Sequence, residues 1–186
     1  MAKKCNILST HLAQIDNSGD VIPCCLFKRK SSQWSDYNLK NLESFDKILN
    51  SKKWAEYRSR IQTEDIPECE LCWIKEEAVN LSKRTQYNKN VPIKKTNPNT
   101  LQTLEVALDT TCNMMCRICQ PSQSSKWASA SGVIDELNNL HPMKNSRYSK
   151  QTIDTSNKDH FRRVFLNSDL TNLSRIRING GEPFYS

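Results

Sequence analysis

Apolar positions recur at helical spacing in two neighbouring stretches of the first half of the chain. Leu42, Phe45, Ile48 and Leu49 share one face, as an amphipathic helix requires. Ser51 stands before a second stripe of Trp54, Tyr57 and Ile61, where its side-chain oxygen can cap a helix. Both stripes read as plain core. Upstream, residues 5–30 read as short strands around a turn at Asn17, Ser18 and Gly19. Pro67 precedes a tight Cys69-Glu70-Leu71-Cys72 step, and a short helix is expected to follow through Glu76 and Ala78.

Residues 88–100, "NKNVPIKKTNPNT", have few apolar side chains and two prolines, and are expected to form a linker and domain boundary. In "LQTLEVALD" the period changes to two, with Leu104, Val106 and Leu108 alternating as in a strand. Ser122 to Leu140 is expected to be helical, with Val133, Ile134, Leu137 and Leu140 on its apolar side. Residues 141–158 are polar and read as an irregular insertion. Asn157 is placed to cap a helix carrying Phe161, Val164 and Phe165. "LSRIRIN" is a second strand, ending at Gly180-Gly181.

The second half thus runs strand, loop, helix, strand, the order of a βαβ unit in a parallel sheet. Sites in such sheets lie at the carboxyl ends of the strands. The loop after the first strand and Gly180-Gly181 after the second are therefore expected side by side.

Composition narrows the function. The 186 residues are 37% hydrophobic and 25% charged, within the range of a globular chain. No apolar run approaches a membrane span, and the start lacks the apolar core of a secretory signal, so a cytoplasmic protein is expected. The net charge of +7 is diffuse: 17 basic against 12 acidic residues in 1–100, and 10 against 8 in 101–186. Lys28 to Lys30 is too short a basic run to argue for nucleic acid, and a nucleic-acid partner is not expected. In a reducing compartment the eight cysteines point to metal or redox chemistry rather than disulfides. Seven of them fall into close groups at 24/25, 69/72 and 112/116/119, which argues against scattered core packing.

Cys112, Cys116 and Cys119 offer three thiolates within eight residues. Thiolate is a soft ligand suited to zinc or iron–sulfur clusters. A structural zinc site takes four ligands and is closed. Three ligands leave one position open, and no histidine lies near in sequence to fill it, His141 being over twenty residues away. An open position is a catalytic signature.

The C-x3-C-x2-C spacing after a strand, in "LDTTCNMMCRICQPSQSSKW", resembles the cluster loop of radical S-adenosylmethionine (radical SAM) enzymes. Gly180-Gly181-Glu182-Pro183 resembles that family's "GGEP" motif after its second strand. The resemblance implies a 4Fe–4S cluster on Cys112, Cys116 and Cys119, with S-adenosyl-L-methionine (SAM) bound to its open iron and contacted by Ile118, Gly180, Gly181, Glu182 and Pro183. It further implies reductive cleavage of SAM, a 5′-deoxyadenosyl radical that abstracts hydrogen from a substrate, and a flavodoxin- or ferredoxin-like electron donor. The family often has an aromatic residue where this chain has Ile118, which weakens the implied adenine contact. No catalytic residue beyond the cluster ligands is implied.

Cys5, Gly19 and Cys24 follow a C-x13-G-x4-C pattern, joined by Cys69-x2-Cys72. This resembles the twitch module, the shortened relative of the SPASM domain, which holds an auxiliary 4Fe–4S cluster with four cysteines. "GDVIPCC", "CELCWIKEE" and "LSKR" carry the likeness over roughly 5–85. The Gly-x4-Cys spacing selects Cys24 over Cys25. C-x2-C alone does not separate this reading from a zinc-ribbon-like knuckle formed by Cys24 or Cys25 with Cys69 and Cys72. Relatives with auxiliary modules often modify peptides or proteins.

The expectation is an α/β chain in three parts: a small cysteine-rich α+β auxiliary-cluster domain at 1–87, a linker at 88–100, and at 101–186 the first βαβ portion of a radical SAM partial (β/α)6 barrel. The chain supplies two of the family's six strands, so an incomplete enzyme, inactive alone, is expected. The alternative is a non-catalytic zinc- or nucleic-acid-binding module.

Overall fold

The computed structural model describes residues 4–14, 19–28, 37–91, 99–107, 109–116, 119, 123–130, 132, 135–136, 139 and 157–182. Four strands form one sheet in the order β2-β1-β3-β4. β1 is His11–Gln14, β2 Val21–Ile22, β3 Thr103–Val106 and β4 Arg175–Ile178. β2 is antiparallel to β1, whereas β1, β3 and β4 are parallel. The register pairs His11 with Thr103 and Thr103 with Arg175. Because side chains alternate across a strand, His11, Thr103, Glu105, Arg175 and Arg177 share one face. Leu12, Leu104, Val106, Ile176 and Ile178 share the other.

This pairing joins the two parts of the expected division in one sheet. β1 comes from the first segment, yet it lies beside β3 and is extended by Gln102 N–H donating to the Thr10 carbonyl at 2.8 Å. The core is likewise continuous, running from Ile7 through Phe45 and Trp54 to Leu104 and Val164. The stretch 88–100 therefore separates neither a sheet nor a core.

The two stripes form α2 (Phe45–Leu49) and α3 (Lys52–Thr63). Ser51 caps α3 by accepting the Trp54 N–H. Phe45, Ile48, Leu49 and Trp54 are fully buried, each worth about 1.5–3 kcal/mol of transfer free energy. A 3-10 turn at Pro67–Cys69 leads into α4 (Glu70–Val79), which ends at Asn80 in the left-handed conformation.

Three elements depart from the pattern reading. Residues 7–10 form a helical turn, α1 (Ile7–Thr10), instead of a strand, held by the Leu8 N–H on the Cys5 carbonyl and the Thr10 hydroxyl on the Asn6 carbonyl. α5 (Lys83–Asn90) runs into the expected linker, started by a capping box between Ser82 and Thr85. This helix is polar almost throughout, so periodicity did not mark it. The expected long helix from Ser122 is instead a short α6 (Ser125–Ser129), capped by Ser124 and ended at Ala130. Helical backbone recurs at 132, 135, 136 and 139. α7 (Asn157–Leu166) begins with Asn157 itself and buries Val164. Asn17, Ser18, Leu108, Val133, Ile134, Leu137, Leu140 and most of 141–158 lie outside the described residues.

Candidate iron–sulfur sites at opposite ends of the sheet

Cys5 lies just before α1, Cys24 follows β2, Cys69 closes the 3-10 turn and Cys72 sits in the first turn of α4. The fold gathers these segments at the amino end of β1. Because β2 runs antiparallel to β1, the chain after Ile22 returns toward His11, and His11 Nδ1 meets the Pro23 carbonyl at 2.6 Å. The Lys28 N–H donates to the Glu68 carbonyl at 2.8 Å, tying the loop after Cys24 to the turn that carries Cys69. Cys5, Cys24 and Cys72 lie near enough to Cys69, and Cys72 to Cys5, to disfavour its thiolate.

Burial pushes the Cys5 thiol up to about 11 and the Cys24 thiol up to about 12, and raises Cys69 as well. Opposing this, backbone N–H groups of Ile7 and Leu8 point at Cys5, and that of Leu26 at Cys24. Arg84 and Lys83 add positive charge beside Cys5 and Cys24 respectively. The set is thus four soft donors, uncharged while protonated, in surroundings that also supply donors to their thiolate forms. A cationic centre that displaces the thiol protons fits such a set. Among the described residues, no three His, Cys, Asp or Glu side chains converge on a point suited to a single ion.

Arg84 anchors the wall of this site. It pairs with Glu76 and donates to the Lys4 carbonyl at 2.9 Å. Its guanidinium lies 5.2 Å from the centre of the Trp73 ring. Trp73 is buried and its Nε1–H donates to the Ile66 carbonyl. Cys25 stands apart from the four: it is exposed, and its sulfur accepts from Lys83 Nζ at 2.9 Å.

The second group lies at the other end of the sheet. Residues 109–119 follow β3, so Cys112, Cys116 and Cys119 sit beyond the carboxyl ends of the parallel strands. The four-residue strands between the two ends span roughly 13 Å. Asp109 shapes the start of the loop: its Oδ1 accepts the Thr111 N–H at 2.9 Å and its Oδ2 pairs with Lys158 at 2.7 Å. Burial would raise its carboxyl, but Lys158 and the Thr111 N–H hold it below the usual range. α6 supports the loop. Ser125 Oγ accepts the Cys112 N–H and donates to the Cys112 carbonyl. Ser124 Oγ donates to the Met114 carbonyl, and Trp127 Nε1–H to the Cys116 carbonyl at 3.0 Å. Cys112 Sγ accepts the Met114 N–H at 3.4 Å. Cys116 is exposed, with Cys112 and Cys119 half-buried, so the thiols open to solvent.

Gly180, Gly181 and Glu182 lie against this loop, as the strand order implies. The Gly181 N–H donates to the Gln123 carbonyl and the Glu182 N–H to the Thr111 carbonyl. A Cβ on Gly180 would meet the Asp109 carbonyl oxygen at 2.6 Å, and one on Gly181 the Thr111 carbonyl oxygen at 2.0 Å. Both glycines have positive φ, +87° and +32°. Their first requirement is therefore close backbone packing beneath the cysteine loop. Ile118 and Pro183 lie outside the described residues.

Motif reading missed Glu105, Asp109, Arg84 and the serine pair Ser124-Ser125. Asp109 had a signal, an Asp followed by two threonines at a strand end, which favours a side-chain-to-backbone turn. Glu105 had another, a charged residue inside an alternating strand.

A model of the SPASM family, an iron–sulfur cluster-binding domain, matches residues 5–73. No curated protein and no solved structure matches the chain. The matched range holds Cys5, Cys24, Cys69 and Cys72 and stops short of the loop at 109–119. Among the described residues no helix is long and apolar enough to cross a membrane. The first part of the chain is thus similar to a SPASM domain, a radical SAM-associated auxiliary module that binds iron–sulfur clusters.

Proposed function

We propose that the chain is a radical SAM protein with two iron–sulfur sites, an auxiliary one on Cys5, Cys24, Cys69 and Cys72 and a SAM-binding one on Cys112, Cys116 and Cys119. The observation that carries this reading is the hydrogen-bonded junction between the C-x3-C-x2-C loop and Gly180-Gly181-Glu182 at the carboxyl ends of two parallel strands. A zinc module has no use for that junction. The SPASM match on the same chain supports it.

When bound, a three-cysteine 4Fe–4S cluster supplies one-electron reduction of SAM at an iron that lacks a protein ligand. The chain's own residues have other tasks. Cys112, Cys116 and Cys119 hold the cluster. Asp109, Ser124, Ser125 and Trp127 fix the loop backbone, so that the three sulfurs keep their positions when the metal arrives. Gly180 and Gly181 let β4's end approach the loop, and Ile118, Glu182 and Pro183 are assigned to SAM by the resemblance of the two motifs. The electron comes from a flavodoxin- or ferredoxin-like donor, and the substrate is a peptide or protein. The protein acts in the cytoplasm.

The test is anaerobic reconstitution with iron and sulfide, followed by electron paramagnetic resonance of the reduced protein with and without SAM. A reducible cluster whose signal changes on adding SAM, and disappears when Cys112, Cys116 and Cys119 are replaced by Ala, is expected. Zinc filling the loop site and iron never doing so would replace this reading with the non-catalytic alternative.

A further inference from the structure

A cavity of about 610 Å³ lies between α4, α5 and the edge strand β4, away from the loop at 109–119. Its volume is within the range of small-molecule sites. Lys75, Lys83, Arg175 and Arg177 line it from three separate elements, and no carboxylate is among the described lining residues. An adjoining recess holds Glu105, which is buried and already committed. It pairs with Lys83 at 2.9 Å, Arg177 at 2.9 Å and His11 at 3.3 Å. One carboxylate therefore faces Lys83, Arg175 and Arg177 in the recess, and Lys75 adds a further cation. Among the described residues neither Lys75 nor Arg175 has an acidic partner.

The register explains why this charge converges. Arg175 and Arg177 are two apart on β4, so both side chains lie on the sheet face that α5 covers. Tyr87 and Val91 bring apolar surface to the same cavity and are buried. A concave site with like charge and low-dielectric walls focuses its field on a ligand. Guanidinium groups bind planar oxyanions through paired hydrogen bonds.

We propose that this cavity binds a small ligand carrying one oxyanion group, a carboxylate or a phosphate, beside an apolar body. Arg175 and Lys75 take the oxyanion, and Tyr87 and Val91 face the body. The inference does not depend on the cluster chemistry above, and it can be tested by binding alone.

The experiment is isothermal titration of the reconstituted 186-residue protein with phenyl phosphate and with phenylacetate. Benzyl alcohol and phenylacetamide serve as the uncharged counterparts. At least one anion should bind, at least about tenfold more tightly than its uncharged counterpart, the ratio expected for a charged hydrogen bond. The anion that binds more tightly identifies the group. Replacing Lys75 and Arg175 together by Ser should weaken binding about tenfold or more, whereas Lys126→Ser, the loss of one exposed charge on α6, should leave it unchanged. Wild-type affinity should also fall as salt rises from about 20 to 300 mM, as screening requires; this reading needs no variant to fold. Equal binding of charged and uncharged probes, salt-independent binding, or a K75S/R175S protein that binds like the wild type would overturn the proposal.

Discussion

Gly181→Ala is expected to disable the cysteine loop while sparing the auxiliary site. The new Cβ would stand 2.0 Å from the Thr111 carbonyl oxygen and 2.8 Å from the carbonyl carbons of Thr110 and Thr111. All three are backbone atoms, so no side chain can swing aside. Relief requires the loop and the end of β4 to part by on the order of 1 Å, enough to forfeit packing contacts. That movement breaks the Gly181-to-Gln123 and Glu182-to-Thr111 hydrogen bonds, at 3.1 and 2.8 Å, each worth about 1 kcal/mol. A non-glycine residue at φ +32° costs about another 1 kcal/mol. The sum is about 3 kcal/mol, set against a total stability of about 5–15 kcal/mol for a domain. Gly132→Ala is the internal control, because a Cβ there meets nothing within 4 Å; on helical backbone it should be neutral or stabilising by at most about 1 kcal/mol. The assays are urea unfolding and iron counting after reconstitution. Gly181→Ala should lose the iron assigned to the 112/116/119 loop and keep that at Cys5, Cys24, Cys69 and Cys72. If Gly181→Ala matches Gly132→Ala in both assays, the packing argument for the glycine pair is wrong.

Cys24→Ala should lower auxiliary-site iron and Cys25→Ala should not, since only Cys24 is buried among the other three thiols; equal loss from both would reassign the ligand. Arg84→Met should destabilise the protein by about 1–3 kcal/mol, because it removes the charged hydrogen bonds that Glu76 accepts from the guanidinium, at a site where both side chains are largely covered, and leaves the Ser82 hydroxyl on that carboxylate. A melting temperature equal to the wild type's would contradict that. Glu105 gives the pH dependence. Burial acts to raise its carboxyl, but His11 and Lys83 hold it well below its ordinary value of 4.5. A depressed pKa contributes stability that is fully present above the unfolded value and is lost as pH falls through the folded one. Unfolding curves should therefore show stability falling as pH drops below 4.5, and Glu105→Gln should flatten that fall. A variant with the wild-type slope would mean other carboxylates control the acid limb.

The sequence was informative where one residue type has one structural use. Ser51 before a helical stripe, the alternation in Leu104 and Val106, and Gly180-Gly181 after a strand all describe local geometry, and each lies where that geometry implies. The pairing of β1 with β3 was not legible, because a four-residue strand carries little pattern and its partner lies about ninety positions away. α5 was missed because its face toward the sheet is chosen by Lys83 and Tyr87 reaching Glu105 and Thr10, not by an apolar stripe. The two cysteine groups were proposed from spacing, but their location at opposite ends of one sheet follows from strand direction, which spacing does not contain.

The central claim is two independent clusters, and iron counting tests it most directly. Iron and acid-labile sulfide would be measured on the anaerobically reconstituted wild type, on the Cys112/Cys116/Cys119→Ala variant and on the Cys69/Cys72→Ala variant. Two four-iron clusters predict about eight irons in the wild type and about four in each variant, the two losses adding. One zinc per chain without iron, or complete loss of iron from either variant alone, would contradict it.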